Sequence, residues 1–154
     1  MSVTAYRITK TKHLASAFDG EGARLYGGRW NSQGTRMVYA ASSISLATLE
    51  ILVHTDDVSM IMGQYSTIPI GIPEALILRV LSKDLPAGWF SPEPPSATQI
   101  FGDEWIRSGR SAVMAVPSAV TNEESNYLLN PAHPDFAALS IGQAGLLRLD
   151  TRLR

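Results

Sequence analysis

The apolar positions of this chain come in short runs broken by glycine and proline, and the period of each run predicts an element. Val3–Thr9 mixes β-branched and aromatic residues and reads as a strand. Asp19–Gly28 carries four glycines in ten residues and reads as a loop. Arg36–Ala41 (RMVYAA) reads as a buried strand, after which Ser43 offers an N-cap for a helix over Ile44–His54. Seven of the ten residues from Ile44 to Val53 are apolar, so that helix is expected to be largely buried.

In the second half, Pro69 and Pro73 limit Gln64–Pro73 to an edge strand at best. Ala75–Leu81 (ALILRVL) predicts a central strand, and Leu85–Pro95, with four prolines, a loop. Ser96 can cap a helix running to about Ser108, with Ile100, Phe101, Trp105 and Ile106 on its inner side. Ala112–Val116 predicts a strand stopped by Pro117, Glu123–Leu129 a short helix or lid segment, and Gly145–Asp150 a terminal strand. Mixed order with more strands than helices indicates an α+β fold rather than a doubly wound parallel sheet.

Length and composition narrow the class. A chain of 154 residues suits one domain, and at 45% hydrophobic and 18% charged it is too apolar for disorder. The absence of cysteine excludes disulfides, thiolate metal sites and a thiol nucleophile, and fits a reducing compartment. The N-terminus lacks the apolar core of a signal peptide, and no apolar run approaches the roughly 20 residues of a membrane span, so a soluble cytoplasmic protein is expected. The formal net charge of −1 offers no global field for nucleic acid. The charge is nonetheless uneven: residues 1–36 hold six bases and two acids, the remainder seven and twelve. That asymmetry suits a small anionic ligand, or is ordinary variation on a solvated surface.

The common motif patterns are missing. GEGARLYGG has no glycine three residues after Gly22 and so fails as a dinucleotide loop, and there is neither a phosphate loop nor a nucleophile elbow. His13, His54 and His133 lack metal-ligand spacing, and His133 and Asp135 give only a weak Ser–His–Asp pattern with Ser118.

Five residues stand out individually. Glu50 is the one acid in an apolar helix, either a structural ion pair or a carboxylate aimed where positive charge develops. Arg29 follows Gly27 and Gly28, which allow close backbone approach to a ligand, and its guanidinium can grip a phosphate; the alternative is a turn with Arg29 packed on Trp30. Tyr39 either packs in the core or stacks on a flat heterocycle. Arg7 lies in the first strand, where an exposed position is its ordinary reading. Ser118, after Pro117, either shapes a turn or bonds a ligand, and Asn126–Pro131 followed by His133 reads as a loop pinned by Asn side chains.

Taken together, Tyr6-Arg7-Ile8, GGRWNSQGT (27–35), VYAASS (38–43) running into LATLEILVH (46–54), VPSAV (116–120) and NYLLNPAHPDF (126–136) strongly resemble the RES domain. That family is named for an arginine, a glutamate and a serine. Its members are toxins of bacterial type II toxin–antitoxin pairs with a fold like that of ADP-ribosyltransferases such as diphtheria toxin. The resemblance implies a single RES domain over residues 1–154, with a mixed β core flanked by helices and an NAD cleft between sheets. It implies NAD+ as substrate, no metal, and cleavage of the nicotinamide–ribose bond, with ADP-ribose passing to water, phosphate or a protein acceptor. The implied partner is a cognate antitoxin with an Xre-like DNA-binding part, whose C-terminal segment blocks the cleft. Direct contact with nucleic acid or membrane is not implied.

By the same resemblance Arg7 contacts the ADP-ribose part, Arg29 binds pyrophosphate and Tyr39 stacks on nicotinamide. Glu50 matches the family glutamate and stabilises the oxocarbenium ion, and Ser118 matches the serine that orients substrate or Glu50. One departure stands at Thr48, where arginine-targeting transferases often carry a second Glu or Gln, and this weakens an arginine-acceptor reading. Three functions remain: an NAD+-consuming toxin, a protein mono-ADP-ribosyltransferase, and a non-catalytic nucleotide- or partner-binding module.

Overall fold

The computed structural model describes residues 1–153. The first predicted strand forms over Ser2–Lys10 (β1), and Glu21–Tyr26 (α1), Val38–Ala41 (β2), Ile44–Leu52 (α2), Tyr65–Pro73 (β3) and Ile77–Arg79 (β4) follow. Ser96–Ser108 (α3), Val113–Pro117 (β5), Ser125–Leu129 (β6), Ser140–Ile141 (β7) and Gly145–Leu146 (β8) complete the elements, with five short 3-10 turns between them. The α+β expectation holds. The strands do not form two separate sheets, however. They make one eight-stranded sheet of order β4-β5-β6-β2-β1-β3-β7, with β8 also on β3. All pairs are antiparallel apart from β4–β5, whose parallel crossover is supplied by α3.

That sheet has a thin joint. β1 and β3 pair over nine residues, from Ser2↔Pro73 to Lys10↔Tyr65, whereas β1 and β2 meet at the single pair Tyr6↔Ala41. The two halves therefore diverge on either side of one bridge, and the cleft described below opens there.

Alternation along β2 assigns the faces. Val38 and Ala40 enter the main core with Ala5, Ile70, Val113 and Leu129. Tyr39 and Ala41 point the other way, toward the helices: Tyr39 packs in the cluster of Met114, Leu128 and Trp105 of α3, and Ala41 packs with Leu46 and Ala47 of α2. Both long helices thus cover the same face of the sheet, α2 over the β1–β2 joint itself and α3 over β5 and β6.

Several elements differ from expectation, each for a local reason. Asp19–Gly28 is not a loop throughout, because Gly20 (φ 74°) and Gly27 (φ 72°) bracket α1 as its two caps and leave a helix between them. Tyr65–Pro73 is a full nine-residue strand. The Pro69 carbonyl accepts from the Gly142 amide at 2.8 Å, so the nitrogen of Pro69 also faces the short β7–β8 side and no bond of the β1 ladder is lost. The run 75–81 yields only three strand residues, at the sheet edge rather than its centre. Glu123–Leu129 is strand β6 and not a helix or lid, since Leu128 and Leu129 are buried between β5 and β2. Only two residues of Gly145–Asp150 pair. α2 ends at Leu52, and its buried stripe is narrow, Leu46–Thr48, leaving Ile44, Leu49 and Val53 exposed. In α3 Ser96 is the first helical residue rather than the cap, and Ile100 is 54% exposed instead of facing inward.

Candidate active site

Over the thin joint lies an open cavity of about 1090 Å³, and Arg7, Arg29, Tyr39 and Glu50 all line it. The structure thus brings together four of the five residues singled out in the sequence. The fifth, Ser118, is fully buried directly behind Glu50.

Glu50 comes from the cavity side of α2. Its Oε1 accepts a 2.8 Å hydrogen bond from the Ser118 hydroxyl. That hydroxyl accepts in turn from the amides of Val120 (3.0 Å) and Thr121 (3.2 Å). Ser118 therefore serves both as a turn former and as the group that orients the carboxylate. The two amides fix the oxygen so that its proton points at Glu50. Thr48, by contrast, is buried and bonds the Ile44 carbonyl within the helix, away from the cavity.

Arg29 stands on the opposite chain segment, between Gly28 and Trp30. Its Nη1 donates to the carbonyls of Trp89 and Ser91, both at 2.7 Å, so the guanidinium anchors the proline-rich loop 85–95. One nitrogen is committed, and the rest of the fork remains for a ligand. Burial pushes the guanidinium down from its ordinary pKa, opposed by the negative charge of Glu50. An arginine stays protonated under such a shift. A Cβ on Gly28 would meet the Tyr39 hydroxyl at 2.8 Å, which is why glycine is required there.

Tyr39 is clamped at its tip. Its hydroxyl donates to Asn31 Oδ1 at 2.6 Å and accepts from the Trp30 amide at 3.1 Å. Burial raises its pKa well above the ordinary tyrosine value, so the phenol stays neutral. With the hydroxyl engaged, the ring is what Tyr39 offers to the cavity. Asn31 was not singled out by sequence reasoning. It is completely buried, and its Nδ2 donates to the carbonyls of Ala23, Ser32 and Thr35. The signal available was a lone amide in a Gly-Gly-Arg-Trp-Asn turn, which does not distinguish a hub from a surface residue.

Arg7 does not sit exposed. Its Nε donates to the Ala17 carbonyl at 2.6 Å and its Nη1 to the Tyr39 carbonyl at 3.0 Å. It bridges β1 to β2 at the joint where ladder bonds run out, and burial pushes its pKa down. Its remaining nitrogen is what a ligand could use.

His133 and Ser118 are not coupled. His133 Nδ1 accepts from the Asp135 amide and its Nε2 pairs with the Gly109 carbonyl at 2.9 Å, whereas the partners of Ser118 are Glu50, Val120 and Thr121. The Ser–His–Asp alternative is therefore not assembled. Of the segment read as a loop pinned by Asn side chains, Asn126–Leu129 is instead part of β6; only Asn130 acts in that way, accepting from the Ala132 amide at 3.0 Å. Among the described residues no group of three or more His, Asp and Glu side chains could hold a metal ion.

With this geometry in hand, comparison with known proteins is decisive on one point. The RES domain matches residues 4–150. The chain belongs to the RES domain family. A curated RES relative, Toxin Res of Yersinia enterocolitica, is 41% identical over 150 residues, covering 97% of this chain and 98% of that protein. The Prs ADP-ribosylating toxin of a Sphingobium species is 39% identical over 141 residues, covering 88% and 86%. Among solved structures, a chain from the crystal structure of the M. tuberculosis MbcT–MbcA toxin–antitoxin complex has the same fold. Its TM-score is 0.79 over 96% of this RES chain and 85% of that one, at 22% identity.

Proposed function

We propose that this RES toxin cleaves the nicotinamide–ribose bond of NAD+. The observation that carries the reading is the pairing of an oriented carboxylate with a free guanidinium face in one cavity: Glu50 held by the buried Ser118, and Arg29 anchored through a single nitrogen. The dinucleotide has the complementary ends, a ribose carrying a cationic pyridinium and an anionic pyrophosphate.

In this mechanism the C–N bond breaks and its electron pair leaves with the pyridine nitrogen, which turns from cationic to neutral. Positive charge moves onto the ribose as an oxocarbenium ion. A carboxylate about 4 Å away contributes roughly 4 kcal/mol of gross attraction at an effective dielectric near 20. The attraction grows toward the transition state, so it accelerates the step rather than merely tightening binding. Arg29 binds pyrophosphate, Arg7 the ADP-ribose part through its remaining nitrogen, and the Tyr39 ring stacks on nicotinamide. A nucleophile then adds to the ribose carbon and loses its proton. No step needs a metal. Ser118 acts through Glu50 as a positioning residue.

The partner in this reading is a cognate antitoxin with an Xre-like part whose C-terminal segment enters the cleft, and the whole of residues 1–154 acts as one domain in the cytoplasm. Membership of the RES family and the similarity to a chain of a toxin–antitoxin complex support a partner of this kind. Among the described residues no helix is long and apolar enough to cross a membrane.

A second reading, transfer of ADP-ribose to a protein, is favoured by the similarity to the ADP-ribosylating toxin of Sphingobium. A product-resolved assay with labelled NAD+, run with and without phosphate and host lysate, separates the two. Free nicotinamide with ADP-ribose or its 1″-phosphate in the absence of lysate is the expected result. Label confined to a protein band, and only with lysate, selects transfer. No turnover under any condition overturns both and leaves a binding module.

A further inference from the structure

Besides the residues already placed, the lining of the cavity includes two aromatic side chains that are largely exposed. Tyr26 is 82% exposed and Phe90 62% exposed, yet both line the cavity. Phe90 is tied to Arg29 through its two neighbours, and Tyr26 is close to Arg29 along the chain. Tyr26 closes α1 three residues before it, and Phe90 lies between Trp89 and Ser91, the two residues whose carbonyls take the Arg29 guanidinium.

Phe90 is also not a loose surface ring. It packs edge-on against Trp89 (centroids 5.5 Å apart, 81° between planes). Trp89 packs on Trp30 at 6.5 Å, and Trp30 on Phe101 of α3 at 5.9 Å. A line of aromatic rings thus runs from the core to the rim and ends on an open face. Such a platform loses little freedom on binding, which is what stacking on a flat base asks for.

We propose that Tyr26 and Phe90 hold the purine of the dinucleotide, with Arg29 between them taking the phosphates to which that base is attached. This deepens the NAD+ reading and rests on it for the identity of the whole substrate. The chemistry recognised by the rim itself is a purine nucleoside diphosphate. Arg29 has a double part: it binds phosphate, and by clamping loop 85–95 it sets the position of Phe90.

The test is calorimetric titration of the full chain with ADP and, as the base-free control, inorganic pyrophosphate. Phe90→Ala and Tyr26→Ala are each expected to weaken ADP about 10-fold while pyrophosphate affinity moves by less than about twofold. Phe90→Trp should keep ADP affinity. Both positions are exposed, so a thermal melt should show the fold intact. Unchanged ADP affinity in both alanine variants overturns the proposal, and so does equal weakening of ADP and pyrophosphate. Loss of antitoxin binding with ADP affinity kept also overturns it, in favour of a protein-docking rim. Turnover of NAD+ by the wild-type chain is scored alongside. Cleavage of NAD+ with ADP affinity insensitive to both rings sinks the purine site alone. Ring-dependent ADP binding with NAD+ left intact supports the purine site and sinks the cleavage reading alone.

Discussion

The two walls of the cleft are built differently. On the Arg29 wall, Asn31 joins α1, the following loop and Tyr39 through four hydrogen bonds. α3 adds three further attachments: Gln99 donates to the Gly28 carbonyl, Asp103 accepts from the Ser32 amide and hydroxyl, and Gly102 lies against the Trp30 carbonyl. On the Glu50 wall a single hydroxyl orients the carboxylate. A binding wall with many redundant ties resists single losses of contact but fails when its packing is disturbed. A wall whose carboxylate hangs on one tie can, in the proposed function, lose chemistry without changing the fold. The largest effects of substitution should therefore fall on turnover at one wall and on stability at the other.

Glu50→Gln gives the sharpest contrast. On the proposed mechanism, removing the charge that faces the oxocarbenium ion should lower kcat by about 10³-fold, following the roughly 4 kcal/mol of attraction lost. ADP affinity and melting temperature should stay near wild type. Retention of most activity breaks the mechanism at its centre.

Next in size is Gly102→Ala, on the other wall. A Cβ there would lie 1.6 Å from the Trp30 carbonyl oxygen, and backbone cannot yield as a side-chain tip does. Overpacking of this kind costs about 3 kcal/mol, a fall of roughly 6–12 °C in melting temperature. Loosening the Arg29 loop should weaken ADP as well. A variant that melts normally shows that α3 is not what holds this wall.

Ser118→Ala probes the single tie. Loss of its hydroxyl frees the Glu50 carboxylate and strands two amides, so kcat should fall about 10- to 100-fold with KM nearly unchanged, at a cost of about 1 kcal/mol in stability. A change mainly in KM would mean that Ser118 meets substrate instead of orienting Glu50.

How far the sequence carried this picture depends on the range of the forces involved. Strand β1, the Ser43 cap of α2 and the gathering of Arg7, Arg29, Tyr39 and Glu50 were legible, the first two from local pattern and the last from the resemblance. The Ser43 hydroxyl does accept from the Leu46 amide at 3.0 Å. What escaped was decided at a distance. β6 is a strand because β5 and β2 bury it from both sides, overriding a local pattern that suits a helix equally well. Pro69 sits inside a long strand because its nitrogen happens to face the broken β7–β8 side, a matter of register that no local pattern reveals. Asn31 was invisible as a hub because its four partners come from α1, its own loop and β2.

The smallest effect belongs to Tyr39, and it decides whether the binding wall takes part in chemistry at all. Tyr39→Phe keeps the ring and deletes a hydroxyl engaged by Asn31 and the Trp30 amide. The expected cost is about 1 kcal/mol of stability with activity within a few-fold of wild type. The loss has a pH signature. The folded state raises the Tyr39 pKa by burial, so the folded chain keeps a proton that the unfolded chain releases above about pH 10. Stability associated with this group is full below that pH and declines as pH rises, at up to about 1.4 kcal/mol per pH unit. Denaturant titrations between pH 9 and 11 should show that decline in the wild type and a shallower one in Tyr39→Phe. Equal slopes mean the phenol is not held neutral. A 100-fold loss of activity means the hydroxyl acts on substrate, and the separation of a binding wall from a reacting wall fails with it.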